Sequence, residues 1–272
     1  MGVLLLHVDA FTDAPFSGNP AAVCLLPPRS SDDWKQKLAT EMNLSETAFV
    51  ELSPGSDADG HSFGLRWMTP AAEVPLCGHA TLASAHALWE EGIVPRDAEI
   101  SFHTLSGVLR ASLGPGGITL DFPATAAIEA PVPQEVEVAL GARVVHYAES
   151  STKLLAELED EAAVRNLKPD MQCMRALPKE GVIVTARGEQ ADFVSRFFAP
   201  KLGVPEDPVT GSSHSILGPW WQGKLGKSEF LARQISQRGG SMTVRVGADA
   251  GTRVFLTGKA VTVARGELKA LP

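Results

Sequence analysis

The chain has 272 residues, enough for roughly two domains at about 150 residues each. Apolar residues make up 44% and charged residues 21%, an ordinary globular composition that excludes a disordered or low-complexity chain. Its 32 acids outnumber 24 bases, and the net charge of −8 repels phosphate backbones and anionic lipids; the densest basic stretch, Arg233 to Arg238, is too sparse to override it, so neither nucleic acid nor membrane is expected as a partner.

Three cysteines, Cys24, Cys77 and Cys173, are too few and too unevenly spaced for a disulfide framework or for paired zinc ligands. The apolar start, Met1 to Leu6, has no basic flank and meets His7 and Asp9 before a signal-peptide core could form. No run approaches the roughly 20 apolar residues of a membrane span. These features predict a cytoplasmic protein.

In chain order, β-branched and aromatic runs between Gly, Pro and Asp punctuation predict strands over Val3 to Ala10, Ala21 to Leu26, Thr47 to Leu52, Phe63 to Met68, Glu99 to His103, Gly107 to Leu113 and Ile118 to Phe122. A first helix is expected from about Ser31 to Met42, with Ser30 or Ser31 as its cap and Asp32 and Asp33 in its first turn. A second runs from Gly78 to Glu91 and stops at Gly92. It is apolar nearly all round, which predicts a helix enclosed by sheet. Pro123 to Pro133 reads as a linker. Beyond it, strands are expected over Val144 to Tyr147, Lys153 to Leu158, Val182 to Ala186 and Phe193 to Phe198, then a helix opened by Gly211, then strands after Phe230.

The second half repeats the order of the first. Arg66-Trp67-Met68-Thr69-Pro70 is echoed by Arg196-Phe197-Phe198-Ala199-Pro200, Gly78 by Gly211 and Gly107 by Gly240, at offsets of 130, 133 and 133 residues. The expectation is an α+β fold of two pseudo-symmetric lobes, residues 1–122 and 123–272, each a sheet or barrel wrapped around one central helix, with the last strand a candidate to return to the first lobe. The N-termini of both helices would then flank one cleft, where unpaired N–H groups and positive dipole ends attract a carboxylate.

Chemistry concentrates in three segments. In Asn43 to Val50, strand alternation puts Glu46 on the face of Ala48 and Val50, where burial would raise its pKa; the competing reading is a solvent-facing acid at a strand start. In Pro75 to Thr81, a thiol and an imidazole flank a helix start, which lowers a thiol pKa and disfavours imidazolium. Cys77 is equally readable as a small hydrophobe, and His79 as a satisfied structural histidine. In Pro205 to His214, Pro208 holds Asp207 extended before a second helix start, while Thr210 or Ser212 could serve merely as a cap. Hydrolase-elbow, Walker and dinucleotide fingerprints are absent, and histidine spacing gives no metal pattern.

Gly18-Asn19-Pro20-Ala21-Ala22-Val23, Asn43 to Phe49, Val74 to Thr81 and Glu206 to Ser212 resemble the signature segments of the phenazine-biosynthesis isomerase (PhzF-like) family, over the whole chain and most nearly its animal-type members. The resemblance implies a fold like that of diaminopimelate epimerase, a homodimer, and a small carboxylated metabolite handled without metal or other cofactor. It implies that Glu46 is the proton shuttle and that His79, Asp207 and Ser212 bind or polarise the substrate, with Asn19, Cys77, Gly78, Thr210 and Gly211 also lining the substrate site. One departure from the wider superfamily is that its two-thiol racemases place a cysteine before each helix glycine, whereas here Cys77 is followed in the second position by Thr210, whose hydroxyl cannot replace a thiolate base. The preferred reading is therefore a single-carboxylate isomerase. A dehydratase or epimerase of the same fold using Cys77, and a non-catalytic interaction protein retaining the fold, stand beside it.

Overall fold

The computed structural model describes residues 2–27, 30–52, 61–248, 252–270 and 272. The chain folds into two compact units, Met1–Asp121 with Thr257–Pro272, and Phe122–Leu256. In the first unit the elements are β1 (Val3–Ala10), β2 (Asn19–Leu26), α1 (Asp32–Met42), β3 (Glu46–Glu51), β4 (Ser62–Met68), β5 (Glu73–Val74), α2 (Gly78–Glu90), β6 (Ile100–Thr104), β7 (Gly107–Gly114) and β8 (Gly117–Pro123). The second contains β9 (Ile128–Glu129), α3 (Gln134–Leu140), β10 (His146–Glu149), β11 (Lys153–Glu157), α4 (Glu161–Asn166), α5 (Met171–Ala176), β12 (Gly181–Arg187), β13 (Phe193–Ala199), β14 (Val204–Asp207), α6 (Gly211–Leu225), β15 (Glu229–Gln234) and β16 (Gly240–Val246). After β17 (Arg253–Gly258), β18 (Ala260–Leu268) pairs antiparallel with β1.

The duplication read from the offsets recurs as topology. In the first unit β1–β2 is antiparallel, β2–β3 parallel, β3–β4 and β4–β5 antiparallel, β4–β6 parallel and β6–β7 antiparallel. In the second, β10–β11, β11–β12, β12–β13, β13–β14, β13–β15 and β15–β16 repeat that sequence of directions pair for pair.

The strands of each unit are covered on both faces. In the first unit α2 packs against β1, β2, β3 and β18, and eleven of its residues are buried. The other face is covered by α1, whose Ala39 joins Val3, Cys24, Leu26, Phe49 and Met68 in a separate core. Ser31 caps α1 by accepting the Trp34 N–H, and Asn43 ends it in the left-handed region at φ 51°, a conformation that asparagine tolerates. In the second unit α6 takes the place of α2, while α3, α4 and α5 cover the outer face through Val136, Leu140, Val164 and Met174. These three short helices have no counterpart in the sequence reading. The stretch expected as a linker is ordered: β9 pairs with β10, and the Ala130 N–H donates to the Tyr147 carbonyl.

The repeat extends to its ion pairs. Arg66 on β4 grips Glu73 on β5 through two nitrogens, and Arg196 on β13 grips Glu206 on β14 in the same way. Arg196 also donates to the Val164 and Leu167 carbonyls, and its side chain is 13% exposed against 28% for Arg66. Removing Arg196 therefore leaves the Glu206 carboxylate and the Leu167 carbonyl without this donor, while the Val164 carbonyl keeps the Leu167 N–H. Arg196→Met is expected to cost about 3 kcal/mol in urea unfolding and Arg66→Met about 1 kcal/mol; equal costs would contradict this difference in burial.

Candidate active site

In the first unit, Gly18 turns the chain into β2 at φ +67°, where an added Cβ would lie 2.2 Å from the Ala10 carbonyl, so only glycine fits. Asn19 follows, fully buried, at the head of β2, and the parallel register sets Ala21 beside Glu46 at the head of β3. Both strand heads meet the first turn of α2. The Asn19 amide Nδ2 lies 3.1 Å from His79 Nδ1, the Cys77 sulfur 3.5 Å from that same nitrogen, and Glu46 Oε2 3.3 Å from His79 Nε2.

The charge states follow from these contacts. An amide nitrogen only donates, so Nδ1 accepts and the neutral ring carries its proton on Nε2, facing the Glu46 carboxylate. Burial lowers the His79 pKa from 6.5 to about 3, and the imidazole stays neutral across the physiological range. The Glu46 side chain is 17% exposed and that of His79 4%. Strand alternation alone could not have settled the setting of Glu46, because Thr47, Ala48, Phe49 and Val50 are all buried. Ligand atoms of Glu46, Cys77 and His79 lie within 4.8 Å of one another, a mixed O, S and N donor set able to take a borderline divalent metal. Sequence spacing does not disclose this set, since its members come from a strand head and a helix start.

In the second unit Asp207 ends β14, half-buried, and Thr210 occupies the N-cap position of α6. Thr210 does not cap the helix with its side chain; its hydroxyl donates to Asp207 Oδ2. Gln234, 1% exposed on β15, holds this turn: its Oε1 accepts from Thr210 N at 2.9 Å, while its Nε2 donates to the Asp207 carbonyl at 2.6 Å and to Thr210 Oγ1 at 3.2 Å. A lone glutamine on a strand 24 residues from Thr210 carries no motif, and sequence reading missed it. Gly211 is buried and Ser212, in the first turn of α6, is half-buried. His214 is structural: it donates from Nδ1 to the Thr210 carbonyl, stacks on Phe193, and burial holds it down at about 4. The expected site residues thus form two clusters, Asn19, Glu46, Cys77, Gly78 and His79 in the first unit, and Asp207, Thr210, Gly211 and Ser212 in the second.

No helix among the described residues is long and apolar enough to cross a membrane. Residues 8–266 match the family described as "Phenazine biosynthesis-like protein". An uncharacterized isomerase of Halalkalibacterium halodurans is 47% identical over 96% of both chains. The human phenazine biosynthesis-like domain-containing protein is 44% identical over 99% of this chain and all of its own. The crystal structure of a phenazine biosynthesis protein of the PhzF family from Enterococcus faecalis superposes with a TM-score of 0.92 at 39% identity, covering 99% of this chain and 100% of that one. A hydroxyproline epimerase from Agrobacterium vitis shares the fold at 13% identity, with a TM-score of 0.64 over 98% of this chain and 92% of its own.

The buried imidazoles set an acid limb of stability. Between pH 6.5 and about 3 the unfolded chain takes up a proton at position 79 that the folded chain refuses, so the stability present above pH 6.5 is lost as pH falls. His214 acts in the same direction. His79→Gln is expected to flatten the fall in urea midpoint between pH 7 and pH 4.5; identical pH profiles for the two proteins would contradict a buried neutral His79.

Proposed function

Because this chain belongs to the phenazine biosynthesis-like (PhzC-PhzF) family, we propose that it is an isomerase moving a proton on a small carboxylated metabolite, with Glu46 taking the proton from carbon and returning it nearby. The observation that carries the reading is the Glu46 carboxylate set 3.3 Å from a buried, neutral His79 at the start of α2. A proton shuttle must gain and lose its proton near the working pH. An imidazole held at about 3 is too weak a base, which leaves His79 as a hydrogen-bond donor through Nε2 and Glu46 as the group that cycles. The backbone N–H groups opening α2 favour negative charge and would stabilise a carboxylate or a developing enolate.

The second unit supports a one-carboxylate reaction rather than exchange between two thiols. Thr210 stands where a second thiol would be needed, and its hydroxyl is engaged by Asp207. The reading keeps the substrate-binding roles that the family resemblance assigns to Asp207 and Ser212, and it gives no step to a cofactor. Cys77 is the competing base, since its sulfur lies 3.5 Å from His79 Nδ1. A base at Cys77 would make the protein a dehydratase or epimerase of the same fold.

Deuterium incorporation from D2O into a panel of small carboxylates separates these chemistries. Glu46→Gln is expected to keep the fold and lower exchange by about 100-fold or more, whereas Cys77→Ala retains it. Exchange retained in a folded Glu46→Gln protein would move the base to Cys77. Exchange by the wild type into no carboxylate of the panel would favour a non-catalytic interaction role.

A further inference from the structure

Lys153 opens β11 on the α6-facing side of the second unit and belongs to neither cluster. Its orientation follows from its strand. Glu157, four residues on, accepts from Trp220 Nε1 at 2.9 Å and pairs with Lys224 at 3.1 Å, so the Lys153, Leu155 and Glu157 face of β11 points toward α6. The neighbouring strands agree: Thr185 on β12 accepts from Trp221 Nε1, and Phe193 on β13 stacks on Trp221. Four strand residues span about 13 Å, as do the nine helical residues separating Trp220 from Gly211. The contact of Lys153 with Phe197, the cross-strand partner of Asp207, sets it toward the end of α6 where the helix begins.

The surroundings of its ammonium are specific. The nitrogen stands 5.6 Å from the centre of the Phe197 ring, and Phe197 is the cross-strand partner of Asp207. The charged groups acting on it are Glu180 and Asp207, which favour its charged form, while burial pushes its pKa below the usual lysine value. Among the described residues it forms no ion pair within 4.0 Å. A half-buried cation held beside an aromatic face, near an acid but not bonded to it, has donors left for an incoming anion.

We infer that Lys153 is a carboxylate anchor, binding the carboxylate of a small anionic ligand at the α6 N-terminal end of the second unit. The inference rests on the proposed function only for the class of ligand.

The test labels the lysines of the whole protein by reductive 13C-methylation, which keeps their charge, and assigns the Lys153 resonance by its loss in Lys153→Arg. Malate, fumarate and benzoate are then titrated, with malonamide as the uncharged control. The resonance is expected to shift saturably with at least one carboxylate and not with the amide. In calorimetry Lys153→Met should weaken that carboxylate about tenfold or more, with Lys153→Arg retaining most of the affinity. A Lys153 resonance indifferent to all three carboxylates would overturn the inference, as would equal affinity in Lys153→Met. Exchange retained by Glu46→Gln would count against the proton-shuttle reading and leave the Lys153 result standing.

Discussion

A helix that is apolar on every side has to be enclosed, and a sheet that encloses a helix leaves only the helix ends open. That constraint governs both halves of this chain. Ala80, Leu82, Ala83, Ala85, Ala87 and Leu88 leave α2 only His86 and Glu90 to turn outward, and α2 is buried along nearly its whole length. Polar side chains on its first turn consequently enter a region with little water, next to the strand heads of β2 and β3. An imidazole there cannot hold a charge easily, and the Glu46 carboxylate lies 3.3 Å from its Nε2. The chemistry of the cluster follows from the enclosure of the helix.

Duplication supplied the same device twice, and the two copies have diverged at the helix start. Position for position, at the 133-residue offset, Cys77 corresponds to Thr210 and His79 to Ser212. The first copy gathers a thiol, a neutral imidazole and a carboxylate. The second gathers a carboxylate, a threonine hydroxyl and a buried glutamine that fixes them both. A thiolate is a usable base near neutral pH and a threonine hydroxyl is not, so the copies cannot perform mirror-image proton transfers. Under the proposed function, this asymmetry fits a carboxylate that both removes and returns the proton.

The parts of the fold legible in sequence were those with long uninterrupted patterns. β1 begins and ends where its apolar run does, and α2 and α6 begin at the glycines that mark them. The helices α3, α4 and α5 went unread because six or seven residues make fewer than two turns, too short for a helical period to register. β9 was hidden in a Pro- and Ala-rich stretch, since a two-residue pairing with β10 leaves no alternation to find. At the site, the segments holding Glu46, His79 and Asp207 stood out by residue type, but not their local roles. Thr210 looked like a cap and instead bonds Asp207, while Gln234 and Lys153 lie on strands whose local sequence gives no hint of the turn or helix end they approach.

The proposed proton transfer depends on His79 being a neutral imidazole whose Nε2 proton faces Glu46. Nitrogen-15 NMR of the histidine-labelled protein reports the tautomer and charge of that ring directly. The predicted result is a His79 signal pair with Nε2 protonated and Nδ1 bare, unchanged from pH 8 to pH 5, with the Nε2 resonance displaced in Glu46→Gln. An imidazolium pattern at pH 6, or a proton on Nδ1 with no response to Glu46→Gln, would contradict the account.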